Sequence, residues 1–379
     1  MRQSVPIGVK LAMVALFAMV ALPFVLPRVG GPAGGPEATS PDTAPATTRP
    51  GSAGATAQGP VRDHAHVLPL TATHWYATVH GAEGALAQVF AIDGSGKVTG
   101  PVLGPLPAAE PPLAELRGML ALANGDLAVL SAKHTASRLV LFGAPDAATG
   151  IRPYRSTVIR NDPANPAFVH PYQVAVGPDG AIYASNQDTN TITRYRGFGS
   201  WSRGTPVDAP RGLAQFGTLA PGTVVPSDGE SPEGLGEVRG FAFGPDGLIY
   251  ACDRGRSRVA AYDPATGRLV KVVADASGGL KHPIQAIFTP DARALLVSDN
   301  GRNCVWRVDV ASGRVSELVR PGAGGLDAPS ALALQGDVLY VGSRLGKKVL
   351  KFDARDGAFI GVFADLPSNP EFLAKPIPR

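Results

Sequence analysis

Residues 171–197, PYQVAVGPDGAIYASNQDTNTITRYRG, constrain the fold most strongly, because the rest of the chain repeats their pattern. A short apolar run, 173–176, is followed by Gly177-Pro178-Asp179-Gly180. That is turn chemistry: proline presets φ and glycine supplies positive φ. Residues 181–185 form a second β-rich run, 186–190 a polar loop, and 191–195 a third run with β-branched alternation. Three strands of this kind cannot bury both faces of their sheet, so the unit needs copies to stack against.

The chain supplies them. Residues 238–275, 283–319 and 329–365 repeat the unit, and each adds a fourth strand after an Asp-x-x-x-Gly turn. The turn glycines Gly267, Gly313 and Gly357 fall 46 and 44 residues apart. A period of about 40–50 residues with four strands per unit predicts blades of a β-propeller. Residues 116–161 form a weaker copy, with its inner strand expected at 118–122. Residues 73–103 hold only the later strands of a blade. The missing inner strand is expected from the C-terminal Asn369-Pro370-Glu371-Phe372-Leu373-Ala374, which has the Pro-x-x-apolar-Ala shape of Pro329-Ser330-Ala331-Leu332-Ala333. The expectation is therefore an all-β fold: a six-bladed β-propeller of four-stranded blades over 63–379, its ring closed by the C-terminal strand. Between Arg196 and Glu237 the period breaks. Residues 197–236 read as an insertion that also supplies the third blade's outer strand near 218–225, and insertions in repeat proteins map to loops on one face.

Ahead of the repeats, Arg2 and Lys10 flank an uncharged stretch, 11–26. Residues 1–27 are expected to be a membrane or signal helix, either an uncleaved anchor or a removed signal peptide. Residues 28–62, rich in Pro, Gly, Ala and Thr, read as a disordered tether. This places the body outside the cytoplasm, with the membrane as a partner through the N-terminal segment. The formal charge of +4 belongs mostly to that segment, for residues 1–62 hold five basic and two acidic side chains. The remaining body is nearly neutral, and nucleic acid is excluded as a partner.

The repeats resemble NHL-type repeats and the wider six-bladed group of gluconolactonase-like (SMP-30) hydrolases and streptogramin lyases. The likeness rests on the Pro-x-x-apolar-Ala strand, the Gly-Pro-Asp-Gly turn, the Ile-Tyr-Ala strand and the polar loop before Thr-Arg-Tyr, over roughly residues 70–375. It implies the fold, while the function remains to be argued from the site. Lactonase-like members are expected to hold a divalent cation, Ca²⁺ or Zn²⁺, on oxygen ligands just after the inner-strand proline. Here those positions read Gly118, Tyr172, Arg239, Ile284, Ser330 and Glu371, of which only Ser330 and Glu371 offer good oxygens. No cofactor is expected unless the chain is such an enzyme. For zinc, His170 and His282 match in position without a third partner. A lyase-like reading would pair His170 or His282 with Glu237 or Glu371. Cys252 and Cys304 read either as an inter-blade disulfide or as two buried thiols.

In such a blade the segment before the inner strand and the loop between strands two and three emerge on one face. Asp188, Asp253 and Asp299 recur there, with Asn190 and Asn303, and read as loop-bracing acceptors. Blade-specific residues remain as candidate ligand contacts: His170, Tyr172, Gln173, Gln187, Arg239, Arg254, His282, Gln285, Arg344 and, in the insertion, Trp201. They suit a polar, sugar-like or anionic ligand. The function expected is an exported binding module for a protein, glycan or small molecule, with a lactonase-like or lyase-like enzyme as the alternative.

Overall fold

A computed structural model describes residues 74–81, 87–201, 203–208 and 219–374. The expected anchor and tether lie outside these residues. Six four-stranded antiparallel sheets make up the ring. Blade one contains Trp75–Val79 (β1), Gln88–Ile92 (β2) and Val98–Pro101 (β3). Blade two contains Leu116–Ala121 (β4), Leu127–Ser131 (β5), Arg138–Phe142 (β6) and Tyr154–Arg160 (β7). Blade three contains Pro171–Val176 (β8), Ile182–Asn186 (β9), Thr191–Tyr195 (β10) and Thr223–Val225 (β11). Blade four contains Val238–Phe243 (β12), Ile249–Asp253 (β13), Arg258–Tyr262 (β14) and Leu269–Ala274 (β15). Blade five contains Pro283–Phe288 (β16), Ala294–Asp299 (β17), Cys304–Asp309 (β18) and Val315–Val319 (β19). Blade six contains Pro329–Gln335 (β20), Val338–Ser343 (β21), Lys348–Asp353 (β22) and Phe359–Asp365 (β23). The last strand, Pro370–Ala374 (β24), pairs antiparallel with β1 and completes blade one. Ring closure by the C-terminal strand and the outer strand inside the insertion are as the repeats predict.

Strands two and three of a blade are buried along both faces, as in β5, β13 and β14. The reason is stacking: each sheet is covered by a neighbour on either side, so these strands read as continuous apolar runs instead of alternating ones. The core is accordingly a set of layers between adjacent blades. Trp75, Tyr340 and Phe363 form the layer between blades six and one, and Phe168, Ile182 and Tyr195 contribute to that between two and three. Outer strands such as β15 and β23 are half exposed.

The Gly-Pro-Asp-Gly turn has a packing logic. A Cβ on Gly177 would stand 2.5 Å from the Tyr183 ring, so glycine lets the tyrosine lie over the turn. Asp179 then accepts from the Ala181 amide at 3.1 Å and from the Tyr183 hydroxyl at 3.0 Å. Blade four repeats this with Asp246 and the Tyr250 hydroxyl at 2.7 Å.

Inner strands approach one another around the channel, and two glutamines bridge them. Gln173 donates to the Phe241 carbonyl at 2.6 Å and accepts from the Phe241 amide at 3.1 Å. Gln285 accepts from the Leu332 amide at 2.7 Å. Gly240 opposite Gln173 leaves the room, since a Cβ there would meet the Gln173 Oε1 at 2.7 Å. These two candidate contacts therefore join blades. Cys252 and Cys304 are both buried and free, which settles the choice in favour of thiols.

Gln173→Ala is expected to cost about 1–3 kcal/mol, because it strands both polar groups of Phe241 at the centre of the ring. The loss should appear as a lower urea midpoint with an unchanged m-value.

Candidate functional site

Each inner strand carries a register irregularity just after its first residue, for example between Pro171 and Gln173, Val238 and Phe241, and Pro283 and Gln285. Bulges of this kind re-aim a side chain. The residue displaced is Arg117, Tyr172, Arg239, Ile284, Ser330 or Glu371 in blades two to six and one. Every one of these six lines a single cavity of about 200 Å³ at the channel mouth. The blade-two member is Arg117, a correction to the Gly118 expected above. Leu116 stands opposite Ser131 as Pro171 stands opposite Asn186, and because blade two lacks the marker proline, the start of its inner strand was placed two residues late.

A second set comes from the loop after strand two. In every blade its first residue donates its amide to the carbonyl of the residue preceding the inner strand: Gln187 to His170 at 3.1 Å, Arg254 to Glu237 at 2.8 Å, Arg344 to Ala328 at 3.1 Å, and His80 to Asn369 at 3.1 Å. Gln187, Arg254, Asn300 and Arg344 face the cavity. Of the candidates, Tyr172, Gln187, Arg239, Arg254 and Arg344 thus come together. Trp201 is 98% exposed on the insertion, and His282 is not among the residues lining the cavity.

Four arginines meet there, with two carboxylates between them. Glu371 Oε1 takes Arg344 Nε at 2.6 Å and Arg117 Nη1 at 3.1 Å. Glu237 Oε1 takes Arg239 Nη2 at 2.6 Å and Arg254 Nη1 as well. Burial works to raise the Glu237 carboxyl, but Arg239 and Arg254 outweigh it and hold the group below its ordinary range. Burial pulls Arg239 down. For Arg344 burial acts in the same sense, yet Glu371 prevails and the guanidinium is raised. Arg117 is 8% exposed, and its buried Nε has no hydrogen-bond acceptor among the described residues. Tyr172 packs on Phe372 at 5.3 Å between ring centres and lies under Arg117. Burial raises its phenol, which stays protonated. His80, missed in the sequence because blade one is split between the chain ends, is lowered to about 4 by burial and then by Arg117.

The cation set of a lactonase-like site does not fit these residues. Two of the six positions are arginines, and Glu371 is already held by two guanidiniums. Nor does His170 meet Glu237 or Glu371. Its Nδ1 lies 3.0 Å from Asp188 Oδ1 and its Nε2 lies 3.4 Å from Glu115 Oε2. Asp188 Oδ2 faces His134 Nδ1 at 2.8 Å. Burial lowers His170, and the carboxylate of Asp188 raises the exposed His134. Asp188 had been grouped with Asp253 and Asp299, but the register shows a different equivalence. Pro171 pairs with Asn186, whereas Val238 pairs with Asp253 and Pro283 with Asp299. Asp253 and Asp299 do brace loops, each accepting several backbone amides. Asn190 and Asn303 likewise accept the Val238 and Ala328 amides. Asp188 belongs to blade three alone.

The chain is a six-bladed β-propeller of four-stranded blades. No protein-family model matches it, and no curated protein does. Solved structures share the fold at low identity. A chain from the crystal structure of a nidogen/laminin complex is similar with a TM-score of 0.54 and 14% identity, over 79% of this chain and 97% of that one. A Bacteroides caccae protein of unknown function has a TM-score of 0.50 and 14% identity, over 80% and 98%. Virginiamycin B lyase from Staphylococcus aureus has a TM-score of 0.46 and 15% identity, over 76% and 83%.

The lowered His80 gives a pH prediction. Between about pH 6.5 and about 4 the unfolded chain binds a proton that the folded chain does not, so stability falls as pH drops through that window. Urea titrations at pH 7 and pH 4.5 should show wild type losing roughly 1–3 kcal/mol more than His80→Gln.

Proposed function

We propose that this propeller is an exported binding module that takes a small anion, bearing carboxylate or phosphate groups, in the channel mouth. The observation that carries this reading is charge: four guanidiniums line one cavity with the carboxylate of Glu371, Glu237 pairs with two of them from outside the lining, and Arg117 is nine-tenths buried with an Nε donor lacking an acceptor among the described residues. Arginine presents planar pairs of donors that match carboxylate and phosphate oxygens. A ligand with about two negative charges neutralises the excess and takes up the free donors. Gln187, Asn300 and Ser330 add neutral polar groups to the lining. The cavity of about 200 Å³ is smaller than the roughly 300–1,000 Å³ typical of sites for drug-sized molecules. That favours a compact ligand over a polymer.

Binding is favoured over acid–base chemistry for a specific reason. Glu237 is held ionised by two arginines, and burial keeps the Tyr172 phenol protonated, so neither is poised to exchange a proton near neutral pH.

Calorimetry on the purified full chain with inorganic phosphate, succinate and glucose 6-phosphate tests the proposal, with glucose as the neutral control. At least one anion should bind, with affinity falling as ionic strength rises, and glucose should not. Arg239→Ala and Arg344→Ala should each weaken binding about tenfold or more. The reading fails if no anion binds, or if both variants bind as wild type does.

Export is the second part of the proposal and rests on the apolar stretch 11–26 behind Arg2 and Lys10. Cell fractionation should place the intact chain with the membrane. N-terminal sequencing that begins at Pro32 or Pro36 would instead establish a cleaved signal peptide.

A further inference from the structure

The mouth is not the only place where chemistry-bearing side chains converge. Where blades two and three meet on the same face, four residues come together from equivalent loops of the two blades. Glu115 and His170 precede the inner strands β4 and β8, and His134 and Asp188 stand in the loops after β5 and β9. His134, His170 and Asp188 each offer one ligand atom, and the three atoms lie within 4.8 Å of one another. In the sequence, the matching positions of other blades offer His170 no third partner. The partners come from different loops.

We propose that His134, His170 and Asp188 form a binding site for a divalent transition-metal ion of the Zn²⁺ type, with Glu115 orienting His170 from behind. The geometry has three parts. First, both imidazoles present Nδ1 to a single carboxylate, one to each oxygen, at 2.8 and 3.0 Å. Ligand atoms about a tetrahedral Zn²⁺ at 2.0–2.1 Å stand about 3.3 Å apart, so each histidine–carboxylate pair must open slightly while the three atoms, now within 4.8 Å of one another, draw into one shell. His134, 65% exposed at its side chain, is free to supply that movement. Second, the far nitrogen of His170 has a carboxylate of its own. Nε2 is buried, makes no hydrogen bond among the described residues, and lies 3.4 Å from Glu115 Oε2, close enough for a small shift to bring them into contact. An imidazole that keeps its proton on the nitrogen facing a carboxylate offers a lone pair from the other, the arrangement found behind metal-bound histidines. In that tautomer the Nδ1 lone pair faces Asp188 Oδ1 at 3.0 Å and a cation would sit between them; without metal, Nδ1–H donates to the same oxygen. Third, two imidazoles and one carboxylate form a donor set suited to Zn²⁺ and its neighbours and ill suited to Mg²⁺ or Ca²⁺, which take all-oxygen shells. Three protein ligands leave at least one coordination position open, on the exposed His134 side.

This site is independent of the anion reading. Its ligands are not the arginines of the mouth, and each proposal stands or falls alone.

The test uses the purified full chain after dialysis against a chelator. Titration calorimetry with Zn²⁺ alone should show one equivalent bound, and Co²⁺ added in its place should give the visible absorption of a four- or five-coordinate ion. His134→Ala and Asp188→Asn, an exposed and a near-isosteric change that leave the core untouched, should each weaken Zn²⁺ binding at least 100-fold and abolish the Co²⁺ bands. Glu115→Gln should weaken it 10- to 100-fold while keeping the stoichiometry. The proposal is overturned if no stoichiometric Zn²⁺ is taken up. It is equally overturned if uptake survives in the His134→Ala/Asp188→Asn double variant, which would trace it to other histidines such as His64 and His66.

Discussion

Pairing between β24 and β1 holds the ring shut, and the packing of every blade depends on it. Each sheet buries its central strands only because a neighbour covers each face, so an unpaired β1 would present an open edge and expose the layer around Trp75, Tyr340 and Phe363. Small polar bonds reinforce the seam: Phe372 N–H to Thr78 Oγ1 at 3.0 Å, and Ser330 Oγ to the Pro370 carbonyl at 2.8 Å. The same pairing delivers Glu371 to the mouth and sets His80 near Arg117 and Glu371, outside the cavity lining. Closing the fold and completing the cavity are one event.

The charge arrangement at the mouth follows from that geometry. Six bulged inner strands aim six side chains at one small volume, where like charges repel strongly because water is partly excluded. Placing Arg117 and Arg239 there would be costly if Glu371 and Glu237 did not stand between them and the outer Arg344 and Arg254. Each carboxylate shares one oxygen between two guanidiniums, which stabilises the pairs while leaving positive charge in excess. A fully neutralised mouth would be more stable and would have little to offer a ligand. The anion proposal rests on this imbalance.

Much of this was legible in the amino-acid sequence. The blades announced themselves through the Gly-Pro-Asp-Gly turns, the Asp-x-x-x-Gly turns and the proline before most inner strands, because each does a fixed mechanical job at a fixed place. Tyr172, Arg239, Arg254 and Arg344 could be placed on the rim by counting from those markers. Arg117 was lost where the marker changed from proline to Leu116, and a shift of one position replaced a guanidinium with a glycine. Asp188 departs from the expected grouping for a related cause: Asn186 takes the place that Asp253 and Asp299 hold in their blades, and register, not residue type, sets the equivalence. Gln173 and Gln285 suggest ligand contacts in the sequence, but both bond the neighbouring blade, Gln173 in the space that Gly240 leaves beside it. Pairing across blades leaves no trace in a single repeat.

The residues that meet at the mouth are spread along most of the repeats, from Arg117 to Glu371. A ribosome makes β24 after every other strand of the ring, so the cavity is incomplete until that strand has been made. Five blades can stack while the mouth still lacks Glu371 and the two arginines it holds lack their counter-ion. The cavity is therefore a property of the closed ring and of no smaller part of it.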